Sequence, residues 1–474
     1  MRNGHKTGLF VLVLLLFSTG IYAESIEETL EGFSEENSVG SMKQRDSLEE
    51  EKVLENTQEM GQEGLLSAFD DENITEIDED NDKMLEGLSG KWTQFISYAY
   101  YGNKPHQGIT SFRTSLLLDY EHKFENHWRF KINAKAYYDS IYKIRNQFYS
   151  QDELNQFQSE LRLYDAYIEG SLQENIDFKL GRQVVVWGRS DTIRITDILN
   201  PLDNRRPGIV DIEDLRLPVT MAKIDWFIGD WRITPIAILE QQYSLNPPFG
   251  SAFNPMKNPH ITEKNDKDIS YALSIGGEFS GWDMNFYAAR IRDDLGYIDF
   301  SKQQPLLVHD KVNMLGTALN ILSGSWLYKA ELAYFNGLKF TSTQNKNFQR
   351  TDLLLGVEYK GIADTLFSYD ISLRHFNSYD TKLLHEPNPL EQDTYQHAFR
   401  VSSDFMNATL TANYLISLFG KNLDQGGFQR FWVKYELADG VYSNAGIVDY
   451  IGGSKLFDQV KNSDMFFIDI SYSF

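Results

Sequence analysis

Apolar and polar side chains alternate along the chain from Trp92 onward, with a period of two over segments of about ten residues. Clear examples are residues 128–138, 353–359, 410–418 and 466–474. In the last segment Phe466, Ile468, Ile470, Tyr472 and Phe474 share one face. Strict alternation is the period of a β-strand, because successive side chains point to opposite sides of the sheet. The body of the chain is therefore predicted to be all-β.

The two faces of these strands differ in the placement of aromatic and charged residues, and a soluble β-sandwich does not require that placement. The apolar face begins or ends with aromatic residues, as at Trp128 and Tyr138, or at Trp282 and Phe286. The opposite face carries many charged side chains. Apolar residues with aromatic ends on one side and charges on the other are typical of a transmembrane barrel, with lipid outside and a polar interior.

The connections between the strands give a second signal, because short turns and long polar loops alternate without exception. Eight short turns and nine long loops join 18 strands. The long loops are residues 103–109, 143–156, 188–217, 241–268, 292–308, 336–349, 377–393, 420–427 and 451–463. Outer-membrane barrels have this asymmetry, with short periplasmic turns and longer external loops. We predict a transmembrane antiparallel up-and-down β-barrel of about 18 strands, within a range of 16 to 20, with both termini on the periplasmic side.

The chain begins with the pattern of a secretory signal peptide. Arg2 and Lys6 form a positive region, residues 9–17 are uninterruptedly apolar, and Ala23 precedes an acidic stretch. Nine apolar residues are too few to span a bilayer as a helix, which needs roughly 20. We predict three parts: a signal peptide over 1–23 cleaved near Ala23, an acidic periplasmic leader over 24–90, and an outer-membrane barrel over 91–474.

Charge is concentrated in the leader. Residues 24–90 hold 22 acidic and four basic residues, so they carry −18 of the total −23. Such a composition buries too little apolar surface to offset chain entropy, which predicts a largely disordered segment. Its acidic run at Asp78–Asp82 lacks the glycine and glutamate of a calcium loop, so we interpret the run as solvated charge. The chain has no basic footprint, which excludes nucleic acid as a partner.

Catalysis, metals and cofactors have little support in the sequence. With no cysteine, the chain cannot form disulfides, thiolate metal sites or a thiol nucleophile. The histidines are scattered, and neither HExxH nor GxSxG occurs. We therefore predict a protein that is not an enzyme and that needs no metal or cofactor.

The end of the chain predicts two further partners. Phe474 is the last residue and Tyr472 lies two before it, both on the apolar face. This ending resembles the C-terminal signature of bacterial outer-membrane barrels, which is read by the barrel-assembly machinery. The same face predicts contact with outer-membrane lipids.

One stretch carries a family resemblance. Residues 180–221 contain Gly181-Arg182-Gln183, Trp187-Gly188, Asn200-Pro201-Leu202-Asp203 and Leu217-Pro218-Val219. This pattern resembles an uncharacterised family of Gram-negative outer-membrane barrels, porin-like and often encoded beside RND-type exporters and a periplasmic partner. The resemblance implies transport of a hydrophobic or lipid-like compound, with residues 24–90 as a docking arm for a periplasmic transport partner, or as a plug.

The candidate pore or ligand site is the long loop 188–217 together with the strand before it. Arginines and aspartates alternate there, and Ile193, Ile195 and Leu199 are unexpected in a solvated loop. An inward-folded loop with paired charges would filter solutes by their charge. The alternative is that Asn200-Pro201 and Asp203 form a turn that Arg–Asp pairs brace. The candidate residues are Arg182, Trp187, Arg189, Asp191, Arg194, Asn200 and Asp203, with Arg129, Lys131 and Lys135 as a basic ladder on one strand.

Many further charges are predicted to face the interior of the barrel. Most of them should pair across neighbouring strands, because an unpaired charge in a dry site is costly. The basic ones include Arg113, Lys329, Arg374, Arg400, Arg430 and Lys434. The acidic ones include Asp119, Asp139, Asp165, Glu278, Glu331, Asp352, Glu358, Asp370, Glu436 and Asp469.

Three functions fit this sequence. The first is a porin-like channel for diffusion or export of small molecules, with the loop 188–217 folded into the lumen. The second is a transporter of hydrophobic or lipid-like compounds that works with a periplasmic or RND-type partner. The third is a structural or surface-receptor barrel with a closed lumen, whose long loops bind a partner.

Overall fold

The computed structural model describes residues 87–474, apart from 103, 126, 211, 265 and 302–303. The predicted signal peptide and the predicted leader as far as residue 86 lie outside the described residues. The first barrel strand begins at Leu88, so the barrel includes the last three residues of the range assigned to the leader.

The described chain forms one 18-stranded sheet, as the alternation of turns and loops predicted. Its first nine strands are β1 Leu88–Ala99, β2 Gly108–Lys123, β3 Arg129–Asp139, β4 Ser159–Gln173, β5 Ile176–Gln183, β6 Val219–Ile228, β7 Trp231–Ile238, β8 Ser270–Phe279 and β9 Trp282–Arg292. The other nine are β10 Lys311–Ser323, β11 Trp326–Leu338, β12 Phe348–Ile362, β13 Thr365–Phe376, β14 Asp393–Phe405, β15 Leu410–Phe419, β16 Gly427–Ala438, β17 Val441–Ile451 and β18 Met465–Ser473.

The sheet closes on itself through its first and last strands. Each strand pairs antiparallel with its neighbour in sequence, and β1 also pairs with β18 from Lys91–Ser473 to Ala99–Met465. At the turn end, Gly90 N donates to Phe474 O at 2.8 Å. Closure gives the backbone groups of both terminal strands partners within the sheet, which a bilayer demands because lipid offers none.

Side-chain exposure follows the predicted alternation. On β18, Phe466, Ile468 and Ile470 are exposed on the outer surface, whereas Phe467 and Ser471 are buried inside. Outward aromatic residues recur around the barrel, including Trp92, Trp226, Trp282, Trp326 and Tyr369. The inner face is polar and charged on most strands, so the predicted fold class is confirmed.

The long loops carry the short helices. Helices α1 Ser140–Ile144 and α2 Gln151–Phe157 lie between β3 and β4, α3 Ile212–Leu215 lies before β6, and α4 Lys455–Val460 lies before β18. Single 3₁₀ turns span Asn146–Phe148, Thr341–Thr343 and Thr381–His385. A separate small sheet joins Thr262–Glu263, Tyr297–Asp299 and Leu306–Val308. Within the part of the chain that the structure describes, no helix is long and apolar enough to cross a membrane.

Candidate functional site

The segment between β5 and β6, residues 184–218, is here named the inner loop, and Asn200 ties its two ends together. The amide nitrogen of Asn200 donates to Gln183 O at 3.2 Å and to Leu217 O at 2.9 Å, and its oxygen accepts from Val185 N at 2.8 Å. The side chain is 1% exposed. Because its donors and acceptor are used by backbone groups, Asn200 positions the loop and has little left to offer a solute.

The first half of the inner loop is held by a carboxylate of the barrel wall. Glu331, on β11, accepts from Arg189 N at 2.6 Å, Ser190 N at 3.1 Å and Thr196 Oγ1 at 2.7 Å. Its side chain is 2% exposed. A desolvated carboxylate is tolerated only when hydrogen bonds replace its water, and this loop supplies them. Glu331 is therefore the main anchor of the loop on this wall.

Further wall carboxylates bind neighbouring positions of the same stretch. Asp370, on β13, accepts from Ser190 Oγ at 2.6 Å and Thr192 Oγ1 at 2.7 Å. The Arg189 guanidinium forms an ion pair with Asp283, on β9. Asp191 lies 3.7 Å from Lys329 Nζ, which also pairs with Glu358. These contacts align loop and wall charges on the side of the barrel formed by β9–β13.

The second half of the inner loop reaches the opposite wall. Arg205 donates to Glu160, on β4, at 2.8 Å and Arg206 lies 3.3 Å from Asp139, on β3. The Tyr450 hydroxyl, on β17, donates to Pro207 O at 2.5 Å. The loop therefore contacts β9–β13 at one end and β3, β4 and β17 at the other, so it crosses the interior of the barrel.

Charge pairs within the loop stiffen this crossing. Arg205 donates to Asp203 from Nε at 2.8 Å and from Nη2 at 2.6 Å. Burial alone would raise the pKa of Asp203, but the hydrogen bonds and charge of Arg205 outweigh it and lower that pKa below its ordinary value. Arg194 lies 3.2 Å from Asp197 and donates to Asn200 O at 2.9 Å. Burial lowers the pKa of Arg194, although the nearby carboxylate of Asp197 opposes that effect.

Apolar side chains of the inner loop pack against the wall, which explains their presence in a long loop. Trp187 stacks on Tyr287 of β9 with ring centroids 4.6 Å apart. Ile193, Ile195 and Leu199 belong to one buried cluster with wall residues such as Phe335. Removing this surface from water stabilises the inward position of the loop by the ordinary hydrophobic effect.

The basic ladder of β3 lies apart from these anchors. Arg129 pairs with Glu169 and lies 3.6 Å from Glu121, and Lys131 lies 3.3 Å from Asp119. Lys135 lies on the same inner face and forms no ion pair with the described residues. Most of the ladder is thus neutralised by neighbouring strands.

Arg182, predicted as a pore residue, lies on the outer face of the barrel. It shares the outer face of β5 with exposed Leu180, two residues before it, and pairs across the sheet with Thr220. Its guanidinium binds Glu240 at 2.5 Å and Gln242 at 2.9 Å. The period of two decides this position, because Gly181 and Gln183 take the inward places of β5.

Two acidic partners of the inner loop, Asp283 and Glu160, were not among the sequence-based candidates. Alternation indicates an inward position for both, because Asp283 is adjacent to outward-facing Trp282 and Glu160 to outward-facing Leu161. The inward places of Glu331, Asp370 and Asp139 were predicted from the same alternation. Their contact with the inner loop was not, because each pairing joins segments far apart in sequence.

The chain matches the family model DUF1302, described as a protein of unknown function, over residues 101–474. This match confirms the predicted resemblance to an uncharacterised family. No curated protein matches the sequence.

Among solved structures, the chain is similar to OccAB3 of Acinetobacter baumannii, with 11% identity, a TM-score of 0.48 and coverage of 82% of this chain and 98% of the other. It is also similar to OccK8 (OprE) of Pseudomonas aeruginosa, with 10% identity, a TM-score of 0.48 and the same coverage of both chains. OmpT, an outer membrane protein of Vibrio cholerae, has 11% identity and a TM-score of 0.39, with coverage of 82% and 98%.

Proposed function

The chain belongs to the DUF1302 family of proteins of unknown function, and we propose that it is an outer-membrane channel for diffusion or export of small molecules. The observation that carries this proposal is the inner loop itself. It crosses the lumen between Glu331 on one wall and Glu160 and Asp139 on the other. A loop held at both walls narrows the interior at a fixed place and lines it with charge.

The proposed location is the outer membrane of a Gram-negative cell, after cleavage of the signal peptide near Ala23. The outer surface supports it, since exposed aliphatic and aromatic side chains such as Leu315, Trp326 and Phe466 surround the closed sheet. In water so much exposed apolar surface would drive aggregation, whereas in a bilayer it is solvated by lipid.

Selection in the proposed channel depends on charge at the crossing. Carboxylates of Asp283, Glu331 and Asp370 lie on the wall, while Arg189 approaches them from the inner loop. A solute that passes here meets a fixed transverse field and few mobile groups. Small polar solutes are expected to pass at rates that depend on their charge.

Planar-bilayer recordings of the full chain test the proposal. We expect discrete single-channel steps, and we expect the double variant Arg189→Gln with Asp191→Asn to change conductance and ion selectivity. The matched control is Arg232→Gln at the start of β7 with Asp230→Asn in the turn before it, both outside the crossing. Unchanged conductance and selectivity in the first variant would contradict a role of the loop, and silence of a correctly folded barrel both with and without residues 24–86 would contradict the channel.

A transporter of hydrophobic or lipid-like compounds with a periplasmic partner is the second candidate. The apolar residues that the inner loop brings into the lumen, among them Ile195 and Ile198, favour it. Recordings with and without residues 24–86 separate the candidates. Current that appears only after the deletion would indicate that these residues plug the barrel, and silence of both forms would leave a closed receptor barrel.

A further inference from the structure

A cavity of about 430 Å³ lies between the inner loop and the wall formed by β6–β13. About half of its lining is apolar. Ile195, Ile198 and Leu199 contribute from the loop, and Val219, Ile238 and Phe335 from the strands. A volume of this size is in the range of sites that enclose a small organic ligand. Aliphatic side chains are unexpected beside a water-filled pathway. The cavity is therefore a candidate site for the apolar part of a ligand.

At one end of the cavity two arginines share a single carboxylate. Asp352 is 1% exposed and is shared by two arginines, with Arg350 Nε 2.9 Å and Arg374 Nε 3.3 Å from its oxygens. Neither guanidinium has a second ion-pair partner among the described residues. One carboxylate cannot accept from all the donors of two guanidinium groups, so terminal nitrogens remain to donate to a ligand.

Three other carboxylates of the lining are Asp293, Asp294 and Glu240, and the last two have partners other than these arginines. Burial raises the pKa of Asp293, although the nearby guanidinium of Arg350 opposes this effect. Asp294 accepts from Ser244 N at 2.7 Å and Ser244 Oγ at 2.6 Å. Glu240 pairs with Arg182 of β5. The Arg350 guanidinium also lies 4.5 Å from the Phe335 ring, so charge and apolar surface meet at one point.

We propose that this cavity binds a small amphipathic anion, with its acidic head at Arg350 and Arg374 and its apolar body along Ile195, Ile198 and Val219. The assignment rests on the proposed channel function and names the class of solute that the channel holds. A planar oxyanion such as a carboxylate accepts from two guanidinium groups at once, and the aliphatic wall removes the body from water.

Calorimetric titration of the full chain in nanodiscs tests the site without any measurement of current. Octanoate is the probe, and acetate, octylammonium and 1-octanol are the comparison ligands. We expect octanoate to bind at least about tenfold more tightly than each of them, because each lacks the apolar body or the negative head.

Two variants locate the binding. Arg374→Gln removes a guanidinium whose side chain is 43% exposed, so the barrel should fold, and octanoate affinity should fall about tenfold or more. Ile198→Asn places a polar group on the aliphatic wall and should weaken octanoate without strengthening acetate. Arg232→Gln, an exposed arginine of β7 outside the cavity, is the control and should bind like the unaltered chain.

The results separate this site from the channel. Octanol binding as tightly as octanoate, or unchanged octanoate affinity in folded Arg374→Gln, overturns the anion site. A chain that conducts but does not bind octanoate overturns the site and leaves the channel standing. A chain that binds octanoate selectively but never conducts supports the site and removes the channel.

Discussion

The carboxylate of Glu331 and the backbone nitrogen of Arg189 are 2.6 Å apart, although 142 positions separate the two residues in sequence. The chain can approach this closely because Gly188 precedes Arg189 with φ at +93°, and a Cβ on it would lie 3.0 Å from Glu331 Oε2. A glycine and a buried carboxylate thus determine where the inner loop meets the wall.

Glu331→Gln is expected to loosen the inner loop. An amide keeps one acceptor but turns a donor toward backbone N–H groups, and an unsatisfied buried group costs about 1–3 kcal/mol. We expect larger single-channel conductance with more open-state noise, measured in planar bilayers. Glu174→Gln, exposed in the turn between β4 and β5, should leave both unchanged. A folded Glu331→Gln barrel with ordinary conductance would refute the anchoring role.

The Arg189–Asp283 ion pair can be tested by exchange of its charges. Asp283→Asn leaves Arg189 without its partner on β9, so the reversal potential in a salt gradient should shift toward anion preference. The double variant Arg189→Asp with Asp283→Arg restores a pair and should return conductance toward the original value. The expected coupling is about 1 kcal/mol. Additive effects of the two substitutions would show that the residues act independently.

The pairing of Asp203 with Arg205 predicts a pH dependence of the inner loop. Because the pKa of Asp203 is lower in the folded state than in the unfolded chain, its stabilising contribution is complete above about pH 4. The contribution is lost as pH falls through the lowered folded-state pKa. The rate of amide hydrogen exchange in residues 200–207, corrected for intrinsic rates, should therefore increase as the pH falls below about 4. Asp203→Asn should exchange faster at neutral pH and lose most of this dependence.

Phe474→Ala is expected to reduce assembly of the barrel. Phe474 N donates to Gly90 O at 2.9 Å, and the ring lies against Gly90 where the first and last strands meet. The measurement is the fraction of heat-modifiable, folded protein in outer membranes. Phe466→Ala is the matched control, since Phe466 is an equally outward aromatic residue of β18. Equal assembly of both variants would contradict a special role of the terminal residue.

The architecture of this protein could be read from local pattern alone. Alternation predicted which side chains face outward, and the order of short turns and long loops predicted 18 strands. Both signals are local, because the side-chain period of a strand and the length of a connection are properties of adjacent residues. The same alternation placed Glu331 and Asp370 on the inner face before any contact was known.

The contacts of the site could be found only from the tertiary structure. Alternation assigns a side chain to the inner or outer face, but it does not give the position along the barrel axis or the partner from a distant strand. Alternation does not show that Glu331 accepts a hydrogen bond from Arg189, or that Arg350 and Arg374 share Asp352. Arg182 lies outside the lumen because the register of β5 places Gly181 and Gln183 inward. The composition and period of the chain determined a barrel, whereas closure of the sheet around the inner loop decided which charges meet inside it.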